Sequence, residues 1–388
     1  MEKEIEVKGY CDAQFESVLD VFKENFNSFN EIGASFAVTV NGKFVIDIWA
    51  GYTNESKTKY WGKNTITRVA STVKVITSLC ALMLVDNGKI ELDSPVSKYW
   101  PEFAQNGKEN LPVRYLFSHT AGLPGIETPI SPQNLQDWDL IVESLAAQKP
   151  LWEPGTMRGY HTLTFNYLLG ELVRRVSGKS LSQFFEEEVA KPLNIDFYLG
   201  LPENVRSQYA SFISAKLPKN FSQLAFPEPH PIAKKIAANP QIWKVSMNDP
   251  FWFNVGAQGF GNARSVASVG SIFACEGKFN GIQFLSPKTI ELVLEEQIYD
   301  SDIILGAPIR TGLGFGLTSK ERPFPNPRTI YWSGMGGSSI TMDIDAKMSI
   351  AYVMNQARIE LPDENKTNKY ATDTRANCLI EEVFKLTT

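Results

Sequence analysis

The chain has 388 residues, of which 43% are hydrophobic and 21% are charged, and its formal net charge is −5. This length exceeds one ordinary domain and allows either two compact domains or one large domain with an insertion. The composition is that of a globular protein and excludes disordered and fibrous classes. Because the charge is mild and shows no long run of one sign, we expect no nucleic-acid and no membrane partner, and a small molecule as ligand.

The N-terminal residues MEKEIE contain no apolar stretch that could act as a signal peptide, and no window approaches membrane-spanning length. If this is the native start, we expect a cytoplasmic protein. Four cysteines lie far apart with no C-x-x-C pair, which favours reduced structural thiols over disulfides or zinc. The chain has only three histidines and no H-E-x-x-H string, so we expect no metal and no cofactor.

The first elements predicted along the chain are a helix and an antiparallel hairpin. Apolar residues recur at helical spacing over residues 15–26, which indicates an amphipathic helix. Residues 35–40 and 44–49 are rich in β-branched and aromatic residues. Asn41 and Gly42 lie between them and are typical of a two-residue β-turn.

Helices dominate the middle of the predicted chain, and strands return near its end. Residues 71–85 are almost all apolar or small and end before a glycine, which predicts a buried helix. A second helical pattern covers residues 165–176. Strands are predicted at 339–343 and 348–354, and a final helix at 378–386.

Strands at both ends and helices between them predict an α+β fold, an α/β sandwich in which one antiparallel sheet from both termini is flanked by helices. We expect residues 1–70 and 256–388 to form a discontinuous sheet domain. Residues 71–255 are predicted to form an inserted, mainly helical domain that carries the helix beginning at Ser71 at its edge. No internal repeat or long linker interrupts this pattern.

The pattern S-x-x-K, which can pair a nucleophile with a base, occurs twice in the chain, beginning at Ser56 and at Ser71. Ser56 lies in a polar run and is expected in a solvated loop. Ser71 opens a buried helix, and residues three apart share a helix face, so the Lys74 amine can reach the Ser71 hydroxyl. The N-terminal end of a helix also favours negative charge developing on an attacked carbonyl. On this pattern alone, a serine N-cap beside a snorkelling lysine is an equally good interpretation.

Tyr160 follows the string WEPGT at 152–156 and precedes the helix predicted at 165–176. A tyrosine held between a proline and glycine turn and a helix could exchange a proton with Ser71 or with a leaving group. For a single tyrosine beside a glycine, a packing role is the alternative.

The string YWSGMGGS at 331–338 comes directly before a predicted strand. Its glycines let the backbone approach a ligand closely, and a strand amide could donate a second hydrogen bond to an oxyanion. A glycine-rich turn at a strand start is the alternative. The nucleophile elbow G-x-S-x-G is absent, and GLGFG at 312–316 lacks the spacing of a nucleotide site.

These three motifs, in this order, resemble the S-x-x-K, Y-x-x and K-T-G-like elements of class C β-lactamases, penicillin-binding proteins and family VIII carboxylesterases. Further strings are similar to the same superfamily, and they are LDSPV at 92–96, LFSHTAGL at 116–123, WEPGT at 152–156, GFGNAR at 259–264 and GLGFG at 312–316. The resemblance covers residues 32–355 and implies a β-lactamase/transpeptidase-like fold.

The resemblance implies that Ser71 is the acylated nucleophile, that Lys74 is its activating base and that Tyr160 is the partner acid or base. It also implies an oxyanion hole formed by the backbone amides of Ser71 and Met335. His119 is then a structural residue. Which of Lys74 and Tyr160 acts as the base stays open, because the two can share one proton.

Departures from the lactamase pattern favour a different substrate. Trp332, Ser333 and Gly334 stand where lactamases carry Lys-Thr-Gly, so the cation that binds a β-lactam carboxylate is missing. Thr162 stands where lactamases carry the asparagine of Tyr-x-Asn. A tryptophan suits an uncharged acyl or alcohol group, and we expect all four residues to contact substrate.

We therefore expect a serine carboxylesterase that acts through an acyl-enzyme on small carboxylic esters, or that transfers the acyl group to another acceptor. The alternatives are a β-lactamase or D-amino-acid peptidase, and a non-catalytic relative that binds a ligand in the same cleft. The sequence gives no prediction of the oligomeric state.

Overall fold

The computed structural model describes residues 5–216, 229–242, 245–360 and 368–387. Residues 1–4 of the N-terminal stretch considered above therefore lie outside the described residues. The helical part predicted at 71–255 likewise includes residues 217–228 and 243–244, which lie outside them.

Antiparallel pairing joins every strand of the sheets in the described residues. The strands in chain order are β1 (Lys8–Cys11), β2 (Gly33–Val40), β3 (Lys43–Gly51), β4 (Thr67–Arg68), β5 (Phe197–Leu199), β6 (Gly259–Gly261), β7 (Lys278–Phe279), β8 (Ile282–Gln283), β9 (Ile298–Ser301), β10 (Pro308–Thr311), β11 (Gly316–Leu317), β12 (Thr329–Ser333), β13 (Ser339–Asp343) and β14 (Met348–Met354). The main sheet has the order β1-β3-β2-β14-β13-β12-β11-β10-β9. A small sheet has the order β4-β6-β5, and β7 pairs with β8.

The helices pack on both faces of the main sheet. In the sequence, most of them come between the N-terminal strands and the C-terminal strands of that sheet. In chain order they are α1 (Glu16–Ser28), α2 (Val73–Asp86), α3 (Arg114–Phe117), α4 (Trp138–Ala147), α5 (Thr164–Ser177), α6 (Leu181–Phe185), α7 (Lys191–Leu193), α8 (Pro231–Ala237), α9 (Ala263–Ala274), α10 (Pro287–Leu294) and α11 (Thr374–Thr387). Within the part of the chain that the structure describes, no helix combines the length and the apolar character needed to cross a membrane.

The predicted fold class is confirmed, because strands from the two ends of the chain lie side by side in one sheet. Strand β2 pairs with β14, with Ser35 opposite Val353. The predicted hairpin also forms, and both of its turn residues, Asn41 and Gly42, have positive φ angles of 51° and 71°. These angles are the ones that a two-residue turn between twisted strands requires.

Two apolar layers fill the space on either side of the main sheet. One layer lies under α1 and α11 and includes Phe22, Phe36 and Leu379. The other joins the sheet, through α9, to the helices of the middle segment, where α2 packs on α5. This second layer buries almost every side chain of α2, which explains its nearly continuous apolar sequence.

The division into a sheet domain and a helical domain stays a prediction. The small sheet joins both parts, because β5 belongs to the middle segment while β4 and β6 flank it. The four cysteines are free thiols, and Cys80 is buried.

Candidate active site

Ser71 lies in a short 3-10 turn, Ala70–Thr72, directly before α2. The α-helix begins at Val73, so the predicted helix start at Ser71 was early by two residues. The difference has a physical cause, since Ala70 has a φ of 46°, a left-handed angle that residues with a side chain rarely adopt. A strained turn therefore presents the half-buried Ser71 at the end of the helix.

The Lys74 side chain is buried, with only 1% of its surface exposed, and its amino group points at two oxygens. Lys74 Nζ lies 3.4 Å from Ser71 Oγ and donates a hydrogen bond of 2.8 Å to the backbone oxygen of Thr162. Among the described residues no carboxylate forms an ion pair with it. The amino group is therefore directed at the serine without being neutralised by a carboxylate.

Tyr160 is also buried, and it lies beside the same amino group. Its ring centroid is 4.8 Å from Lys74 Nζ, 5.1 Å from the ring of His119 and 5.9 Å from the ring of Trp332. The amide of Thr162 donates to the Tyr160 carbonyl at 2.9 Å, which tightens the chain just before α5. The structure thus brings together the serine, the lysine and the tyrosine that the sequence singled out.

Two histidines form part of the wall behind Tyr160. His119 Nδ1 accepts a hydrogen bond from the His161 amide at 3.2 Å, and His161 Nε2 accepts one from the Leu123 amide at 3.2 Å. Burial, with Arg158 close by, lowers the pKa of His119 well below its usual range. Burial lowers the pKa of His161 to about 3. Both rings are therefore neutral near neutral pH, and their contacts order the segment that carries Tyr160.

A fully buried ion pair between Arg158 and Asp302 supports the same segment. Arg158 Nε also donates to Thr311 Oγ1 at 2.8 Å, and Asp302 Oδ1 accepts from the amides of Ile304 and Leu305. Sequence reasoning missed this pair. Its two members are 144 residues apart and belong to no local pattern, so no short-range feature of the chain could have indicated it.

The end of β12 lies against His119 and Tyr160 and continues the same wall of the site. Trp332 is buried, and its ring stacks on His119 with a centroid distance of 5.6 Å and an angle of 20°. Ser333 is half-buried, while Met335 is 48% exposed. The uncharged Trp332 ring therefore occupies the position where lactamases carry the lysine of Lys-Thr-Gly. The Met335 side chain is exposed to solvent.

The turn between β12 and β13 docks directly on the turn that carries Ser71. Ser338 Oγ donates to the Val69 carbonyl at 2.7 Å and lies 3.0 Å from Thr72 Oγ1. Gly334 lies so close that a Cβ atom there would be 2.4 Å from the Val69 oxygen. Only glycine fits this approach. The sequence indicated the glycine but not Ser338, whose partner lies 269 residues away.

Two backbone amides on these docked turns find no protein acceptor among the residues that the structure describes. In the described part of the chain, neither the Ser71 amide nor the Met335 amide donates to another protein group. Unpaired amides beside a nucleophile are the groups that can bind a developing oxyanion.

The remaining predicted contact residue, Thr162, has two parts that face different neighbours. Thr162 is exposed two residues before α5 begins, while its carbonyl accepts a hydrogen bond from Lys74. Across residues 5–216, 229–242, 245–360 and 368–387, no three His, Cys, Asp or Glu side chains come together to hold a metal ion.

The fold and this site define a serine hydrolase of the β-lactamase and esterase type. The sequence model of the Beta-lactamase family matches residues 22–373. The chain therefore belongs to the β-lactamase family.

Known proteins similar to this chain carry both esterase and penicillin-binding names. This chain is 28% identical to the esterase/beta-lactamase LipL of Mycobacterium tuberculosis, and the match covers 90% of this chain and 83% of LipL. A crystal structure of a family VIII carboxylesterase is similar at a TM-score of 0.84 and 33% identity, covering 98% of this chain and all of that one. A penicillin-binding protein homologue from Caulobacter crescentus is similar at a TM-score of 0.85 and 29% identity, with the same coverage.

Proposed function

We propose that the protein is a carboxylesterase that hydrolyses small carboxylic esters through an acyl-enzyme on Ser71. The observation that carries this proposal is the buried amino group of Lys74, held 3.4 Å from Ser71 Oγ and 2.8 Å from the Thr162 carbonyl. An amine in that place can take the proton of the serine as its oxygen attacks.

In the proposed reaction Ser71 Oγ attacks the ester carbonyl, and its proton passes to the Lys74–Tyr160 pair. The amides of Ser71 and Met335 donate to the oxyanion of the tetrahedral intermediate. The intermediate collapses as the alcohol leaves with a proton from the same pair. Water then attacks the acyl-enzyme and gives one proton to the same pair, and the acid departs as the pair passes that proton to Ser71 Oγ. Lys74 and Tyr160 are assigned as a coupled pair because they can share one proton.

The neutral walls of the site support an uncharged substrate. Trp332 stands in the position of the lactamase lysine and packs against His119 and Tyr160, so no cation at that position could bind a β-lactam carboxylate. We assign the substrate contacts to Trp332, Ser333, Gly334 and Thr162. The names of LipL and of the family VIII carboxylesterase support esters as the substrate class.

A panel of p-nitrophenyl esters of increasing acyl length, measured beside nitrocefin, tests the proposal. We expect kcat/KM for the butyrate ester to exceed that for nitrocefin clearly, and Ser71→Ala to abolish both activities. A higher value for nitrocefin would make the protein a β-lactamase. Turnover of neither substrate, together with no adduct on Ser71 after treatment with a fluorophosphonate, would make it a non-catalytic relative.

A further inference from the structure

The turn that carries the Met335 amide is held from the opposite face of the main sheet. Arg375 belongs to α11, which packs beside α1, and its side chain is fully buried. Arg375 Nη2 donates to the Gly336 carbonyl at 3.0 Å, and the Arg358 amide donates to the same oxygen at 3.0 Å. A buried cation on the far layer therefore anchors a carbonyl one residue beyond Met335.

The guanidinium is itself fixed by two buried carboxylates. Arg375 Nη1 lies 2.9 Å from Glu31 Oε2, and Nη2 lies 2.8 Å from Asp373 Oδ2. The hydroxyl of Tyr352 donates to Glu31. Gly337 packs against this group so closely that a Cβ atom there would be 2.5 Å from Asp373 Oδ2 and 2.9 Å from Arg375 Nη2. Charges this deeply buried persist only when each is paired, so the position of the guanidinium is well determined.

The anchored carbonyl is connected to the Met335 amide through two peptide groups that a hydrogen bond joins across the turn. The Gly336 carbonyl and the Gly337 N–H belong to one planar group, and that N–H donates to the Gly334 carbonyl at 3.1 Å. The Gly334 carbonyl belongs to the same planar group as the Met335 N–H. In a trans peptide these two atoms point in opposite directions, so fixing the carbonyl also fixes the direction of the N–H.

We propose that Arg375 is a positioning residue for the oxyanion hole, holding the Met335 N–H in the direction that the acyl oxygen requires. This inference rests on the function proposed above, in which the Met335 amide binds the oxyanion. Flexible glycines at 334, 336 and 337 would otherwise leave that amide free to turn away. Preorganised donors are effective because they need no reorientation during the reaction.

Arg375→Lys tests the inference, because lysine keeps a positive charge near Glu31 and Asp373 but lacks the planar set of donors that reaches Gly336 as well. An oxyanion donor acts mainly in the transition state, so we expect kcat for p-nitrophenyl butyrate to fall about tenfold and KM to change less than about twofold. The matched control is Tyr352→Phe, which removes a hydrogen bond from the same cluster without touching Gly336. We expect it to lower Tm and to leave kcat unchanged.

Asp373→Asn is a second variant, which keeps the arginine. It tests the positioning role of Arg375 if Arg375→Lys does not fold. We expect a smaller fall in kcat, about threefold, again with little change in KM, because the guanidinium is held less firmly. Wild-type kcat in the folded variants would overturn the inference, and so would an equal fall in kcat for Tyr352→Phe. If the proposed function itself is wrong, the wild-type protein will lack esterase activity and will form no adduct on Ser71. That result is distinct from the ones above, and it would also overturn the inference.

Discussion

The chain contains two S-x-x-K strings, and comparing their surroundings shows what turns such a string into a candidate site. Ser56 is exposed in the loop after β3, where its hydroxyl lies 3.4 Å from Thr58 Oγ1. The exposed Lys59 donates to the Ser207 carbonyl at 2.8 Å rather than to the serine. In the second string the lysine is buried and points at its own serine.

The difference lies in backbone shape and burial rather than in residue type. Ser71 and Lys74 lie on one side of a helical turn, which brings side chains three residues apart onto the same face. Ser56 and Lys59 have no helix to align them, and both are exposed to solvent. The same substitution made in each string should therefore have very different effects on the rate.

Ser71→Ala should lower kcat/KM for p-nitrophenyl butyrate by about 10⁴-fold or more, because it removes the atom that we expect to be acylated. Ser56→Ala is the matched control, with the same change in the other string, and should leave the rate unchanged. Steady-state kinetics on the two purified proteins gives the answer. Comparable rates in both variants would show that Ser71 has no greater part in the reaction than Ser56.

Lys74→Ala should lower kcat by about 10³-fold, in the range expected for loss of a general base. Lys59→Ala removes an amine of the exposed string and should have no effect on kcat. Thermal unfolding of both variants separates a loss of chemistry from a loss of folded protein. A folded Lys74→Ala protein with near-normal kcat would contradict the role given to the lysine.

Tyr160→Phe removes only the phenol oxygen and should lower kcat by about 10²-fold, with the ring packing against His119 and Trp332 kept. Tyr167→Phe is the control, since it removes another buried phenol, whose hydroxyl donates to the Leu135 carbonyl. We expect that control to lower Tm without a matching fall in kcat. If kcat falls equally in both variants, Tyr160 has no special part in proton transfer.

Ser338→Ala should have the smallest effect, a fall in kcat of about tenfold, because the two docked turns lose their shared hydrogen bond to the Val69 carbonyl. Its neighbour Ser339 is buried, and its hydroxyl has no hydrogen-bond partner within the described part of the chain. Ser339→Ala should therefore change kcat little. Comparing kcat of the two variants measures how much the hydrogen bond between the two turns contributes to the rate. Equal kcat values would show that this hydrogen bond has no role in the reaction.

The sequence predicted most of the features that depend on neighbouring residues. Runs of β-branched and aromatic residues with Asn41 and Gly42 between them indicated the first hairpin, and the spacing within the second S-x-x-K string indicated the contact of Lys74 with Ser71. The fold class followed from the order of strands and helices.

Features that join distant parts of the chain were not predictable in this way. The hydrogen bond from Ser338 to the Val69 carbonyl spans 269 residues, and the Arg375 contact with Glu31 spans 344. The left-handed turn at Ala70 also escaped prediction, because alanine has no local preference for that angle and tertiary contacts impose it. The periodic pattern of apolar residues reflects neighbouring positions only, so it does not predict contacts between residues this far apart in the sequence.

Intact-mass spectrometry after treatment with a fluorophosphonate tests the central claim most directly, because it detects the acylated residue itself. We expect one adduct per wild-type chain, its location at Ser71 by peptide mapping, and no adduct in Ser71→Ala. Ser56→Ala should label like the wild type. An adduct on any other residue, or a full adduct on Ser71→Ala, would contradict the account.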